Sequence, residues 1–236
     1  MNAREFLEET GKLKKSVLAF RDIARITGKS SGYLRLFLYR LKQKRLIMEI
    51  EKGKYALPGT HPLLVASNAA FPSYISFLSA YSYYSLTTQM PGKALVVSTK
   101  SKKSISIGNY RIEFVKFPAK RAFGYKKEEF MGGYIFIAEK EKAVVDSLYL
   151  PEYCPIGETM QALGQGMDTA KLVDYALRMD SIVLIKRLGF LLEKNNIDIY
   201  EKVRRRINSR YDLLNPMKRK AGEKNKKWKI VVNEVV

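Results

Sequence analysis

FRDIARITGKSSGYLRLFLYRLKQKRLIMEIEKGKYAL, residues 20–57, is the stretch on which the reading of this chain turns. Residues 21–27 place Ile23, Ala24 and Ile26 at the spacing of a short helix, and Gly28 stands where a left-handed residue closes one. Lys29 and Ser30 complete a tight turn, and Ser30 or Ser31 can cap the next helix by accepting a backbone N–H bond. Leu34, Phe37, Leu38 and Leu41 then recur at i, i+3, i+4 and i+7, which predicts a helix over 31–44, about 20 Å long, with one apolar face. The other face carries Ser31, Arg35, Tyr39 and Lys42, with Arg40 and Gln43 beside it. Residues 46–50 and 54–57 read as two short strands joined through Gly53, which supplies the positive φ of a tight hairpin. Upstream, residues 4–12 read as a helix and Val17, Leu18 and Phe20 as a small strand. Helix, short helix, glycine turn, longer basic helix, hairpin is the order of a winged helix-turn-helix, predicted here over residues 1–58.

Charge agrees with that order. The chain has 236 residues and a formal net charge of +20. Residues 1–58 hold 14 Lys/Arg against 6 Asp/Glu, and residues 201–229 hold 12 against 3, so the surplus lies at the two ends. A surplus this large calls for an anionic partner, nucleic acid before an anionic membrane. A basic run by itself is as well explained by a solvated face or a tail, which suffices for residues 218–229 but not where charge coincides with a fold pattern. A composition 46% hydrophobic supplies enough apolar material for sizeable cores. No apolar run reaches 18 residues, so no membrane span is expected. The acidic N-terminus, with Glu5, Glu8 and Glu9, does not read as a secretory signal. Cys154 is the only cysteine and His61 the only histidine. A lone cysteine excludes an intramolecular disulfide and fits a reducing cytosol, so the expected location is cytoplasmic. These two counts also exclude most zinc sites and any histidine triad not built on His61.

Pro58-Gly59-Thr60-His61-Pro62 reads as a linker, with His61 solvent-exposed and structural. The second domain is expected over 63–236. Residues 73–86 read as an aromatic helix started by Pro72, 95–99 as a buried strand, and 104–107 with 110–117 as a hairpin around Gly108-Asn109. A further strand is expected at 134–138, helices at 139–150, 156–163, 169–179, 182–195 and 199–208, and a last strand within 227–235. Strands followed by helices make the fold class α+β: an N-terminal winged helix-turn-helix followed by a mixed α/β C-terminal domain.

The exposed face of the 31–44 helix is the principal candidate site, because the major groove admits one helix whose side chains meet base edges and phosphates. Arg35 and Tyr39 are the base-edge candidates. Lys29, Ser31, Arg40, Lys42 and Lys44 are assigned to phosphates, which position the protein without specifying sequence. Ser30 of the turn joins this set, and Lys52 and Lys54 reach from the wing. The competing reading is a winged helix used for protein contacts. Gly28-Lys29-Ser30-Ser31-Gly32 matches G-x-S-x-G formally, but a helix precedes it where a nucleophile elbow needs a strand. Gly28-Lys29-Ser30 likewise fails as a Walker A loop, since the earlier glycine falls on Ile23. The aromatic residues of 71–84 could stack bases, although helical spacing favours core packing. Lys100, Lys102 and Lys103 with Arg111, Lys116, Lys120 and Arg121 form either a second basic face or a solvated one. Neither Glu128-Glu129 nor Glu139 with Glu141 makes a catalytic pair; Asp146 is the one acid in an apolar setting, and Cys154 reads as inert. No enzyme, metal or cofactor is expected. A nucleotidyltransferase would need a Gly-Ser ahead of spaced aspartates, and the chain has no Gly-Ser dipeptide.

Beyond these patterns the chain resembles the AbiEi family of antitoxins of prokaryotic type IV toxin–antitoxin systems. The resemblance runs along nearly the whole chain, through FRDIARITGKSSGYLRLFLYRLKQKRLI and the GKYAL wing, PSYISFLSAYSYYSLTTQMP, VVSTK, AEKEKAVVDSLYLPEY, SIVLIKRLGFLLEK and the tail NKKWKIVVN. It implies a repressor that binds inverted repeats in double-stranded DNA upstream of its own operon, cooperatively, as a monomer or weak dimer. It also implies a C-terminal domain that neutralises a nucleotidyltransferase-like toxin without a stable complex. No catalytic motif transfers. Regulation of such a toxin without a dedicated operator, or RNA binding through the basic tail, are the alternatives.

Overall fold

Leu34, Leu38 and Leu41 are each no more than 2% exposed. In the computed structural model, which describes residues 1–13 and 15–235, this stripe anchors the first part of the chain. The described chain is a mixed α+β protein that divides into two compact units. The first comprises Met1–Ile75, Gly92–Lys116 and Lys127–Ile137; the second comprises Ser76–Pro91, Phe117–Lys126 and Ala138–Val236. The division therefore does not fall at the Pro58–Pro62 segment: residues 1–58 share a unit with a central sheet.

In the first unit, helix α1 (Ala3–Lys12) is opened by a capping box in which Asn2 and Glu5 exchange bonds. Strand β1 (Leu18–Ala19) leads into α2 (Phe20–Thr27), then α3 (Ser31–Gln43), then the hairpin β2 (Met48–Glu51) and β3 (Lys54–Ala56). The three strands are antiparallel in the order β1-β3-β2, with Leu18 opposite Tyr55 and Met48 opposite Ala56, and a bulge between Glu49 and Glu51. Phe6, Leu18, Ile23, Ile47 and Tyr55 close over the α3 stripe. Phe37 is half-buried rather than buried and meets Phe6 edge-on at 5.5 Å.

His61 does not sit in an exposed linker. It is half-buried and its Nδ1 accepts the Leu63 N–H at 3.2 Å, so it caps α4 (Pro62–Asn68), a helix whose proline start hid within the turn signal. The remaining strands are β4 (Ser73–Ile75), β5 (Lys93–Ser98), β6 (Ile105–Ile107), β7 (Tyr110–Lys116), β8 (Tyr125–Phe130) and β9 (Gly133–Ala138), in the order β6-β7-β5-β4-β9-β8. β5 and β7 pair in parallel from Lys93–Arg111 to Ser98–Lys116. The single helix predicted over 73–86 is overturned here. Ser73, Tyr74 and Ile75 form the strand between β5 and β9, because this fully buried apolar run is satisfied by ladder partners on both sides. β8 was not anticipated; its charged Lys126-Lys127-Glu128-Glu129 run masks the period of a strand.

The second unit contains α5 (Phe77–Tyr83), α6 (Lys140–Tyr149), α7 (Ile156–Leu163), α8 (Thr169–Arg178), α9 (Ile182–Lys194) and the short α10 (Tyr200–Val203). It ends in a small sheet of β10 (Asp212–Leu213), β11 (Glu223–Asn225) and β12 (Ile230–Val232), ordered β10-β12-β11. The helix expected over 199–208 stops at α10 and continues only as a 3-10 turn at Arg204–Arg206. α6 is central and packs on α5, α7, α8 and α9. Asp146 is wholly buried, as its apolar setting suggested, and it is paired: it binds the equally buried Lys142 and accepts from Ser76 Oγ at 2.8 Å. Burial lowers the Lys142 pKa, an effect the neighbouring Asp146 opposes. Lys186, also fully buried, donates to Asn208 Oδ1, Arg210 O and Asp212 Oδ2 at 2.5–2.7 Å. Cys154 is buried, and burial pushes its thiol up to about 12, which favours the neutral thiol over the thiolate.

Trp228 is the largest buried side chain, and its six-membered ring lies flush on Gly189 of α9. A Cβ on Gly189 would come within 2.0 Å of that ring. Gly189→Ala should therefore destabilise the chain by about 3 kcal/mol through overpacking; urea unfolding followed by tryptophan fluorescence measures this, with a lower midpoint at unchanged slope as the expected outcome.

Candidate nucleic-acid interface

The α2–α3 turn is fixed by its backbone. Gly28 takes φ +63° and donates its N–H to Ala24 O at 2.9 Å. Ser30 holds the N-cap position in an extended conformation, but its side chain makes no capping bond, so the capping expected of it is not seen. The first-turn amides of α3 are thus left without a side-chain acceptor, at the end of the helix that favours anions.

Burial on α3 follows the predicted stripes. Ser31, Arg35, Tyr39, Arg40, Lys42 and Lys44 are all exposed, as are Lys29 and Ser30 in the turn and Lys52 at the hairpin tip. Arg35, Arg40, Lys44 and Lys52 make no ion pair among the described residues. Lys29 Nζ stands 5.8 Å from the Tyr33 ring centroid, and Tyr33 stacks on Phe37. A cleft of about 360 Å³ runs between α3 and the hairpin, lined by Arg35, Tyr39, Lys42, Glu49 and Lys52 over a floor that includes Leu38 and Tyr55. Helix face and hairpin are therefore presented together, with three cations and one acid around the opening.

Two of the predicted contacts are engaged elsewhere. Lys54 is half-buried, pairs with Glu51 at 2.7 Å and donates to Ala69 O at 2.6 Å. It ties β3 to the end of α4, so its ammonium is not offered outward as the wing assignment required. The reason is register: Lys54 lies opposite both Ala19 and Glu51, in the middle strand of its sheet. Lys42 remains exposed, but its ammonium is bonded to the Glu49 carboxylate. That bond raises the Lys42 pKa and holds Glu49 below the usual carboxylate range. Lys102, one of the basic group flanking the sheet, is likewise bonded to Glu51. Lys100, Lys103, Arg111 and Lys116 are exposed on the first unit. In the second unit Arg121 turns onto Met179 O at 2.7 Å and Asp180 O at 3.0 Å, so it belongs to no solvated face.

Sequence reasoning missed three exposed side chains of this region. Arg45 adopts φ +55° just past α3 and adds a cation. Tyr33 and Leu36 were hidden because an apolar residue on an amphipathic helix is read as core by default; they are 45% and 50% exposed.

No protein-family model matches the chain, and no curated protein does. The site therefore rests on its own geometry. Among the described residues no cluster of three or more His, Cys, Asp or Glu could hold a metal ion, and no helix is long and apolar enough to cross a membrane.

Glu49 is the acid that offsets Lys42 at the mouth of the cleft. Glu49→Gln removes a negative charge and releases Lys42; with this face as a nucleic-acid interface, affinity for duplex DNA should rise and the slope of log K against log salt should steepen by about 0.9, one further phosphate contact. The lowered Glu49 pKa gives the sign of the pH effect. The pair is intact above the ordinary carboxylate range and is lost only as pH falls through the depressed value. The gain in the variant should consequently persist from pH 8 to pH 5, read by fluorescence anisotropy on a labelled duplex.

Proposed function

We propose that this chain is a sequence-specific repressor of transcription that acts by occupying duplex DNA, with residues 1–58 as a winged helix-turn-helix. The observation that supports this reading most directly is the outward, electropositive face of α3, with Arg35, Arg40 and Lys44 unpaired among the described residues, set beside the Lys52 hairpin tip across an open cleft. In this reading α3 lies in the major groove. Lys29, Arg40 and Lys44 neutralise phosphates, the uncapped amides at Ser31 receive another, and Arg35 with Tyr39 faces base edges. The hairpin places Lys52 on the adjacent backbone. Phosphate neutralisation supplies most of the affinity and base contacts supply the preference.

The resemblance to AbiEi antitoxins supports an operator of inverted repeats ahead of the chain's own reading frame. It further supports a role for the second unit in neutralising a nucleotidyltransferase-like toxin, within the cytoplasm where both would meet DNA and nucleotides. Binding would be cooperative between weakly associating copies, since two half-sites one helical turn apart need two copies of α3.

The test uses the DNA immediately upstream of the reading frame, with scrambled duplex and RNA hairpins of equal length as competitors. Wild type should prefer the upstream duplex by at least a hundredfold, with a footprint of two symmetric half-sites. Arg35→Ala should reduce that preference about tenfold or more, the worth of a bidentate base contact. Lys44→Ala should weaken binding to every duplex alike and flatten the salt slope by about 0.9. Wild-type operator preference in Arg35→Ala, or RNA competing as well as the upstream duplex, would overturn the assignment.

A further inference from the structure

The exposed stripe of α3 is not uniformly basic. Counting along the helix at 3.6 residues per turn, the positions opposite Leu34, Leu38 and Leu41 are Gly32, Leu36, Tyr39 and Gln43. All four are exposed, Leu36 by 50% and Tyr39 by 59%. This ridge is therefore the part of α3 farthest from its core, and it carries no charge. The cations stand on its flanks: Arg35 and Lys42 on the side of the hairpin, Arg40 and Lys44 on the other.

Gly32 adds an independent observation. It has no positive φ, and a Cβ built on it would meet nothing within 4 Å. Neither a turn nor internal packing asks for glycine there, and glycine is a poorer helix residue than alanine. What the missing side chain does provide is room for something outside the molecule to approach the first turn of α3.

From this arrangement, and resting on the duplex-DNA reading above, we infer that Leu36 reads the 5-methyl group of a thymine in the major groove, with Gly32 admitting the edge of the groove beside it. An apolar summit between two rows of cations matches one surface in particular. Phosphates line the rims of the major groove, and the thymine methyl is the apolar group on its floor. A second copy of the chain fits less well. A twofold contact through this ridge would set Arg35, Arg40 and Lys44 against their own counterparts, with the penalty of unpaired like charges.

The experiment uses the full chain and a duplex of the sequence immediately upstream of its reading frame. Thymines in the protected half-site are replaced one at a time by deoxyuridine, which differs only in lacking the methyl group. Wild type should lose about fourfold in affinity at one position per half-site, the worth of one buried methyl group, and much less elsewhere. Leu36→Ala should bind thymine and deoxyuridine duplexes equally, at the affinity of wild type for the deoxyuridine form. Gly32→Ala should melt at the same temperature as wild type or higher, yet bind the duplex at least fivefold more weakly. A footprint that forms normally while no deoxyuridine position matters, or a thymine preference that survives in Leu36→Ala, overturns the inference and leaves the repressor reading standing. A Gly32→Ala variant that binds as wild type removes the close approach. A Leu36→Ala variant that changes the molecular mass in solution assigns the ridge to protein contact instead. If wild type forms no footprint at all, the repressor reading fails first and takes this one with it.

Discussion

Burial of three leucines on one side of α3 governs most of what the first unit can do. Leu34, Leu38 and Leu41 pack on Phe6, Leu18, Ile23, Ile47 and Tyr55, drawn from α1, α2, the small sheet and the connection that leads from α3 into it. Each fully buried leucine is worth about 2 kcal/mol of transfer free energy, so rotating α3 by even one residue position would forfeit several kcal/mol. A helix pinned so firmly on one side has no freedom in what it presents on the other. The orientation of Arg35, Leu36, Tyr39 and Arg40 is a consequence of the core beneath them.

Surface acids then sort the cations into two kinds. Glu49 binds Lys42, while Glu51 gathers Lys54 and Lys102, so these three lysines spend their charge inside the molecule. Arg35, Arg40, Lys44 and Lys52 remain without such partners among the described residues. Pairs at the surface, such as Lys42 with Glu49, contribute little to stability. Their stronger effect is on the field outside: they leave the free positive charge on the flanks and turn of α3 and remove it from the base of the hairpin.

The second unit solves a different problem, that of keeping charged groups in an apolar interior. Lys142 and Asp146 lie one turn apart on α6 and satisfy each other, with Ser76 taking the second carboxylate oxygen. Lys186 is held by an amide oxygen, a carbonyl and Asp212. Arg187, lowered to about 10 by burial, reaches the Leu148 and Leu213 carbonyls. Breaking one partner of such a set leaves an uncompensated charge, which is costly. These groups hold α6, α9 and β10 in one arrangement.

How much of this could be read from the sequence differs from region to region. The 3.6-residue period of Leu34, Leu38 and Leu41, the left-handed Gly28 and the Gly53 hairpin are local signals, and residues 20–57 accordingly fold as their pattern dictates. So do α6 to α9, where periodicity and stop signals such as Pro151 coincide. Local signals failed where the deciding partner was distant in sequence. Ser73–Ile75 has helical neighbours and an apolar composition that suits either state; ladder bonds to β5 and β9 made it a strand. Tyr33 and Leu36 belong to an apolar helix by composition, and only the finished core shows that it has no room for them. Lys54 and Lys42 are two lysines like any others in the sequence; which of them turns inward depends on strand register and on where Glu49, Glu51 and Ala69 come to lie. The sequence by itself determined which segments coil and which face of α3 is apolar, because those preferences act within a few residues. Tertiary structure alone decided which charges remain free and which apolar groups stay outside, because both depend on contacts that exist only once distant segments have met.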